Sequence, residues 1–249
     1  MHLPQITELL RQHRSIRRFS DQAIDPVLLN DLITAGQAAS TSSYIQAVSV
    51  VQVSDAELRS QFAELAGGQK YVQTAAEFLV FCADLNRNSQ RASRVAGEAL
   101  DFAWTEQFVT AVVDTALFAQ NVVIGAEANG LGCCYIGGIR NNPQRVTELL
   151  ALPDLVFPVF GLCLGYPDQS PERKPRLPLT TVLHKDRYQS ALEFAAEIDG
   201  YDAHVRDYYE RRSQGKLTMT WSEQMSKQAQ TQTREFMQEY LKTQGFMHK

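Results

Sequence analysis

The chain has 249 residues, a length at which folding buries roughly 70–75% of the unfolded surface without help from disulfides or a metal. Apolar residues make up 44% of the sequence and charged residues 21%, which excludes a mainly disordered chain. The formal net charge is -4, which excludes a nucleic-acid binder that depends on an overall basic surplus.

The spacing of the cysteines indicates whether the chain binds a metal, and the length of its apolar runs indicates whether it spans a membrane. The four cysteines lie among apolar residues without CxxC or HxxxH spacing, so we predict buried free thiols and no metal site: Cys82, Cys133, Cys134 and Cys163. The N-terminal residues lack the pattern of a signal peptide. The longest uncharged apolar run, 155–166, is short of the ~20 residues of a membrane helix, and the longer run 108–126 contains Asp114. We expect a cytoplasmic protein that does not bind membranes.

The predicted elements are helices with strands dispersed between them. Asp25 before Pro26 is typical of a helix N-cap and first turn, and Ser54 with Glu57 has capping-box spacing. Helices are predicted over about 4–13, 25–39, 54–67, 98–129 and 142–151, and strands over 47–53, 77–83, 133–136 and 156–164. This dispersed pattern favours an α+β fold over a doubly wound α/β fold.

Residues 98–129 are the most helical stretch, and their surface is apolar nearly all round. Their only acids are Glu98, Asp101, Glu106, Asp114 and Glu127. A helix of this kind lies inside a core or a dimer interface.

The last third of the chain differs in composition. Four prolines within residues 167–178 predict an extended excursion. The last sixty residues are polar and helical, with these aromatic anchors: Tyr188, Tyr201, Tyr208, Tyr209 and Trp221. We treat residues 1–249 as a single domain with a polar helical extension from about 185.

Two basic segments are candidates for an anion site. Residues 13–18 combine guanidinium groups with a hydroxyl, as a phosphate site requires, but they also suit a solvated helix end. In 174–176, Pro175 favours an extended backbone, so Lys174 and Arg176 project the same way. The alternative for this second segment is a plain basic loop.

Three glycine-rich segments give different signals. Gly130 and Gly132 follow a helix and precede a strand, the reverse of a dinucleotide fingerprint. Residues 67–70 lack the pattern of a P-loop. Gly137 and Gly138 follow a strand, where bare backbone allows the close approach of a flat ring or forms a plain turn.

The polar side chains fit a ligand better than a catalytic set. Gln69, beside two glycines, suits the carbonyl and nitrogen edge of a heterocycle. The hydroxyls of residues 39–43 either cap a helix or line a ligand. No nucleophile or acid–base set is evident, so we predict no catalytic side chain and place the reactive atoms on a cofactor.

Eight segments, in order along nearly the whole chain, carry a resemblance to a known family. They are HRSIRRF (13–19), ASTSSYIQA (39–47), GGQKYV (67–72), FCADLNR (81–87), CYIGGIRNN (134–142), FPVFGLCLGYP (157–167), KPRLP (174–178) and TWSEQ (220–224). The chain resembles the oxygen-insensitive NAD(P)H nitroreductase and flavin reductase family. The resemblance implies an intertwined homodimer, an α+β sandwich with a mostly antiparallel sheet, and an FMN in each interface cleft.

The resemblance also assigns residues to that FMN, partly from the partner subunit. The residues that it implies for the phosphate and ribityl chain are His13, Arg14, Ser15, Arg17, Lys174 and Arg176. The residues that it implies around the flavin are Thr41, Ser42, Gln69, Tyr135, Ile136, Gly137 and Gly138. The family's usual arginine for the NADPH phosphate is replaced by Leu217, which leaves Arg211, Arg212 and Lys216 as substitutes and NADPH versus NADH open.

The implied reaction is a ping-pong transfer of hydride from NADPH or NADH to flavin N5, and then to a nitroaromatic, a quinone or free flavin. Two alternatives remain at this point. One is a flavin reductase that supplies reduced FMN to a partner enzyme, and the other is a non-catalytic flavin-binding protein.

Overall fold

A computed structural model describes residues 3–231 and 233–249 of the chain. The chain forms two compact units. The first contains residues 1–170 together with 234–249, and the second contains residues 171–233.

The first unit is built on a four-stranded antiparallel sheet. The strands are β1 (Val48–Gln52), β2 (Glu77–Asp84), β3 (Gly132–Ile136) and β4 (Val156–Gly165), in the order β1-β2-β4-β3. The central strands β2 and β4 are buried almost throughout, as their continuous apolar runs predict. The α+β fold and all four strands are confirmed, each within one residue at either end.

The helices are listed in chain order. They are α1 (Leu3–Arg11), α2 (Pro26–Gln37), α3 (Ala56–Leu65), α4 (Tyr71–Thr74), α5 (Asn86–Ala96), α6 (Thr105–Ala128), α7 (Pro143–Leu149), α8 (Ala195–Ser213), α9 (Trp221–Gln230) and α10 (Met237–Thr243). Helices α8 and α9 belong to the second unit, and α10 returns to the first.

Capping explains where two of these helices begin. Asp25 accepts a hydrogen bond from Val27 N at 2.8 Å and Pro26 follows it, as predicted for α2. For α3, the capping box predicted at Ser54 is wrong. Asp55 is the N-cap and accepts from Leu58 N at 2.8 Å, so α3 begins one residue later than the predicted box would place it.

The predicted helix over 98–129 is wrong in its first turns. Residues 98–104 are not helical, and α6 begins only at Thr105. Gly97 has a φ of 76° and ends α5 in the left-handed conformation. Helix α5 was not predicted. It buries no residue, and Ala92, Val95 and Ala96 are its only apolar residues.

Helix α6 packs on the sheet through eight buried residues, including Asp114 and Phe118. By length and composition alone it could cross a membrane, with a mean hydropathy of 1.6. The buried carboxyl and the packing on the sheet are instead those of a core helix. On its outer face, Val109, Val113 and Leu117 are about half exposed.

The second unit has a small core on α8, where Tyr201, Val205 and Tyr208 are buried. Residues 171–178 contain no helix or strand, and the extended segment expected over 167–178 stays a prediction. The ring of Trp221 lies 6.2 Å from that of Tyr201. The prediction of Tyr188 as an anchor is wrong, because the side chain is 83% exposed.

Candidate functional site

The predicted ligand residues of the first unit lie at opposite edges of the sheet. Residues 13–17 and 135–138 lie at β3, whereas the recess that contains Thr41 borders β1. Strands in a sheet are about 4.8 Å apart, so three spacings separate the two edges by about 14 Å.

The segment 13–17 runs along the free edge of β3. Ser15 pairs with Cys133 in an isolated parallel bridge, and Ile16 N donates to Cys133 O at 2.8 Å. Ile16 packs over Gly132, where a Cβ would lie 2.6 Å from Ile16 Cγ1. The backbone therefore fixes this basic segment against the sheet.

His13 is held by a carboxylate that the sequence did not point out as a partner. His13 Nδ1 and Glu127 Oε1 are 2.7 Å apart, and the Glu127 side chain is only 12% exposed. Since an ionised carboxylate accepts only, Nδ1 carries the proton and Nε2 is the nitrogen left for a ligand.

Arg17 and Arg14 have different surroundings. The Arg17 guanidinium lies close to Tyr71 and Cys134 and favours a lower pKa for both groups. Burial raises the pKa of the Tyr71 hydroxyl, and Arg17 opposes that shift. Arg14 lines a recess of about 320 Å³ together with Glu127.

The turn at Gly137 and Gly138 lies against the C-terminal end of α3. A Cβ on Gly138 would lie 2.7 Å from Ala66 O and 2.9 Å from Ala66 Cα. No side chain fits there, which brings this turn beside the loop that contains Gly67, Gly68 and Gln69.

Gln69 has an unused acceptor in that loop. Gly68 N and Gln69 N both donate to Ala63 O, at 2.9 and 3.1 Å, and so close the end of α3. The side-chain oxygen of Gln69 is buried and has no hydrogen-bond partner among the described residues. A buried amide oxygen without a donor is costly, and the imide N–H of a flavin is a donor of the kind it lacks.

The side chains of Tyr135 and Ile136 pack in the core. The Tyr135 ring lies 4.9 Å from that of Phe160, and burial raises the pKa of its hydroxyl. Ile136 is 1% exposed. For Ile136, only the backbone is left to meet a ligand, whereas the Tyr135 side chain is only partly buried.

Thr41 and Ser42 lie at the other sheet edge. Thr41 lines a recess of about 360 Å³ with Arg87 and Phe118. Ser42 N donates to Asp114 Oδ1 at 3.1 Å. Asp114 thus holds from α6 a loop in which Ser43, Tyr44 and Gln46 all have positive φ.

In the second unit, the two predicted phosphate residues lie near tyrosines of α8. The Lys174 ammonium is 5.4 Å from the centre of the Tyr209 ring. Arg176 Nη1 donates to Lys174 O at 3.2 Å, and its charge acts on Tyr201. Tyr201 also donates to Pro175 O at 3.2 Å.

The predicted nucleotide-donor residues of this unit differ in their partners. Arg211 pairs with Glu172 at 3.0 Å, and Arg212 donates to the Tyr208 hydroxyl at 3.0 Å. Among the described residues, the Lys216 side chain has no hydrogen bond or ion pair. Leu217 is held by the Ser213 hydroxyl, which accepts from its backbone N at 2.7 Å.

The cysteines offer no activated nucleophile. All four are free and buried, as predicted. Burial raises the pKa of Cys82 to about 12 and also raises the pKa of the other three thiols. They stay protonated at neutral pH.

The first unit therefore offers the groups that a flavin mononucleotide requires. Its basic side chains are His13, Arg14 and Arg17, its bare backbone is at Gly137 and Gly138, and its unused acceptor among the described residues is on Gln69. Sequence reasoning missed the roles of four residues: Glu127, Asp114, Arg140 and Arg234. Only the first two gave a signal, as rare acids in an apolar helix.

Comparison with known proteins identifies the family. A model of the nitroreductase family matches residues 10–166, and a model of the nitroreductase family C-terminal domain matches residues 174–249. The chain belongs to the nitroreductase family. It is an oxidoreductase, as the resemblance implied.

Three nitroreductase-family proteins illustrate the similarity. The chain is 43% identical to "FMN reductase (NADPH)" of Bacillus subtilis over 242 residues, 96% of this chain and 97% of that protein. It is 43% identical to the "oxygen-insensitive NADPH nitroreductase" of Salmonella typhimurium over 239 residues, with the same coverage. A solved nitroreductase structure from Bacillus subtilis is 42% identical, with a TM-score of 0.94 over 98% of this chain and 100% of that one.

Proposed function

We propose that this nitroreductase-family chain is an FMN-dependent NAD(P)H oxidoreductase that reduces nitroaromatics, quinones or free flavins. The observation that carries the proposal is the buried, unpartnered oxygen of Gln69 beside the Gly137–Gly138 turn. The full-length relatives named as NADPH-dependent reductases support the same activity. When bound, FMN supplies the hydride chemistry at N5, so no protein nucleophile is needed.

The chain's own residues bind and orient the cofactor in this proposal. His13 Nε2, Ser15 and Arg17 bind the phosphate and ribityl chain, and Glu127 keeps His13 in one tautomer. The Gln69 amide and the Gly138 backbone bind the ring. Arg14, Lys174 and Arg176 stay predicted cofactor residues, to be tested by their effect on FMN affinity.

The relatives' names favour NADPH as the electron donor. With leucine at position 217, the donor phosphate needs another cation. Lys216 is the strongest of the three candidates because Arg211 and Arg212 already have partners.

The active form in this proposal is a cytoplasmic homodimer. The recess that contains Thr41 borders β1, and the edges of the sheet at β1 and β3 are about 14 Å apart. In this proposal a second copy brings Thr41 and Ser42 onto the same ring as the residues at β3. The half-exposed Val109, Val113 and Leu117 on α6 supply an apolar face for that contact.

The name of the Bacillus subtilis relative, an FMN reductase, favours a second candidate within this activity. In that candidate the main acceptor is free FMN, and the reduced product passes to a partner enzyme.

Cofactor analysis and steady-state kinetics test the proposal. The purified protein should be yellow and release FMN on heating. Steady-state oxidation of the nicotinamide nucleotide should require an acceptor, and it should be faster with NADPH than with NADH. A quinone, a nitroaromatic and free FMN are compared as acceptors, and a preference for free FMN would select the second candidate. Release of FAD, or failure to bind FMN, would contradict the proposal. Bound FMN without NAD(P)H oxidation would indicate a non-catalytic flavin-binding protein.

A further inference from the structure

Two guanidinium groups lie next to the Gly137–Gly138 turn. Arg234 Nη2 donates to Gly137 O at 3.1 Å and to Asn141 Oδ1 at 2.9 Å. Arg140 Nη1 donates to Val159 O, and a Cβ on Gly137 would lie 3.4 Å from Arg140 Nη2. Both arginines therefore touch the turn that the proposed function assigns to the cofactor ring.

Neither guanidinium is neutralised. Among the described residues, no carboxylate oxygen lies within 4.0 Å of Arg140 or Arg234. Burial lowers the pKa of Arg140, and the charge of Arg234 lowers it further. Arg234 Nε is buried and has no hydrogen-bond partner in the described part of the chain. Two like charges are thus held together in a half-buried place, which is unfavourable unless an anion joins them.

The turn's geometry directs their effect toward the ring. The carbonyl of Gly137 and the N–H of Gly138 belong to one trans peptide and point in opposite directions. Because Arg234 holds the carbonyl, the N–H of Gly138 points away from Arg234. That N–H is in the first turn of the short 3₁₀-helix Gly137–Asn141, where N–H groups have no partner within the helix.

We propose that Arg140 and Arg234 raise the reduction potential of the bound cofactor by stabilising the negative charge that the ring gains on reduction. This inference rests on the proposed function. Hydride transfer from the nicotinamide brings two electrons and one proton, so the ring gains one negative charge. The two cations favour that reduced form over the neutral oxidised ring. They act by their charge from beside the Gly137–Gly138 peptide and are not assigned a contact with the ring, so they are not catalytic residues.

Variants of Arg234 separate charge from hydrogen bonding. Arg234→Gln retains an N–H donor for Gly137 O but removes the charge, whereas Arg234→Lys retains the charge. Arg145→Gln is the matched control, because Arg145 is an arginine of α7 that already pairs with Glu148 at 3.1 Å. Arg140→Gln is a second test that does not depend on the folding of any Arg234 variant.

The midpoint potential of FMN bound to each holoenzyme is measured by equilibration with a redox dye, alongside Tm and the affinity of oxidised FMN. We expect Arg234→Gln and Arg140→Gln to weaken binding of reduced relative to oxidised FMN about tenfold. For a two-electron couple this lowers the potential by about 30 mV. Arg234→Lys and Arg145→Gln should stay within twofold of the parent.

Other results would overturn the inference. If the Gln variants lower Tm but leave the potential unchanged, the arginines are structural. If Arg145→Gln shifts the potential equally, the effect is general surface charge. If the parent protein binds no FMN, the proposed function fails as well, a result that differs from a normal holoenzyme with an insensitive potential.

Discussion

Gly138 is a residue whose identity is set by its neighbour. A Cβ there would overlap Ala66 O at 2.7 Å, and backbone cannot move aside as a side chain can. We expect Gly138→Ala to lower the free energy of unfolding by about 1–3 kcal/mol. Urea denaturation measures it.

The matched control is Gly200→Ala in α8, where no atom lies within 4 Å of the added Cβ. That change should stabilise the protein by about 0.5–1 kcal/mol, because alanine favours a helix interior. Equal stability of the two variants would show that the turn does not pack as described.

Gln69 should be required for binding but not for folding. Gln69→Leu removes the buried oxygen that has no partner among the described residues. The free energy of unfolding of the apoprotein should therefore equal or exceed that of the parent. FMN affinity should fall about tenfold, because the ring loses a hydrogen-bond partner.

Titration of FMN into the apoproteins measures the effect of Gln69→Leu. Gln73→Leu is the control, since Gln73 is an exposed residue that donates to Ser60 Oγ at 3.0 Å. An affinity for Gln69→Leu within twofold of the parent would remove Gln69 from the site.

At the scale of elements, α6 contains a carboxyl that costs stability. Burial raises the pKa of Asp114, against the opposing effect of hydrogen bonds from Ser42 N and Ala47 N. Because the folded pKa exceeds the unfolded one, the native state retains a proton that the unfolded state has lost. Stability from this group is therefore present below the unfolded pKa and is lost as pH rises through the folded pKa.

Asp114→Asn keeps an oxygen to accept from Ser42 and removes the charge. We expect its free energy of unfolding to be no lower than the parent's at pH 7, with a smaller decline as pH rises above the ordinary pKa of an aspartate. The exposed Asp31→Asn in α2 serves as the control. A variant that is clearly less stable at pH 7, with the parent's pH profile, would show that the carboxylate is needed as an anion.

Elements with an apolar pattern were predictable, and those without one were not. Apolar or β-branched runs predict the four strands, and Asp25–Pro26 predicts the start of α2. Helix α5 has no buried residue and only three apolar ones, Ala92, Val95 and Ala96, and so small an apolar stripe in a polar segment was not read as a helix. The start of α6 was misplaced because residues 98–104 have a composition that also suits a helix.

The candidate site was predictable where its residues are neighbours in sequence. Segment 13–17 and the Gly137–Gly138 turn are local motifs. By contrast, Glu127 is 114 residues from His13, Asp114 is 72 from Ser42, and Arg234 is 97 from Gly137. Only folding brings such pairs together, so composition and spacing could not assign them.

At the scale of the whole molecule, the proposed homodimer depends on the outer face of α6. Sedimentation at micromolar concentration should give about twice 28.0 kDa for the parent. Leu117→Arg places a charge in the half-exposed apolar stripe, and we expect it to favour the monomer and weaken FMN binding.

Val95→Arg on α5 is the control, because Val95 is 88% exposed and lies outside that stripe. It should leave the dimer intact. A parent protein that binds FMN tightly as a monomer would refute the two-copy site.

The central claim is that this chain carries electrons from a reduced nicotinamide nucleotide to an acceptor through bound FMN. An anaerobic titration followed by absorbance tests it most directly. One equivalent of NADPH per FMN should bleach the oxidised-flavin spectrum, and one equivalent of a quinone should restore it. A bound flavin that stays oxidised in the presence of excess NADPH and excess NADH would contradict the claim.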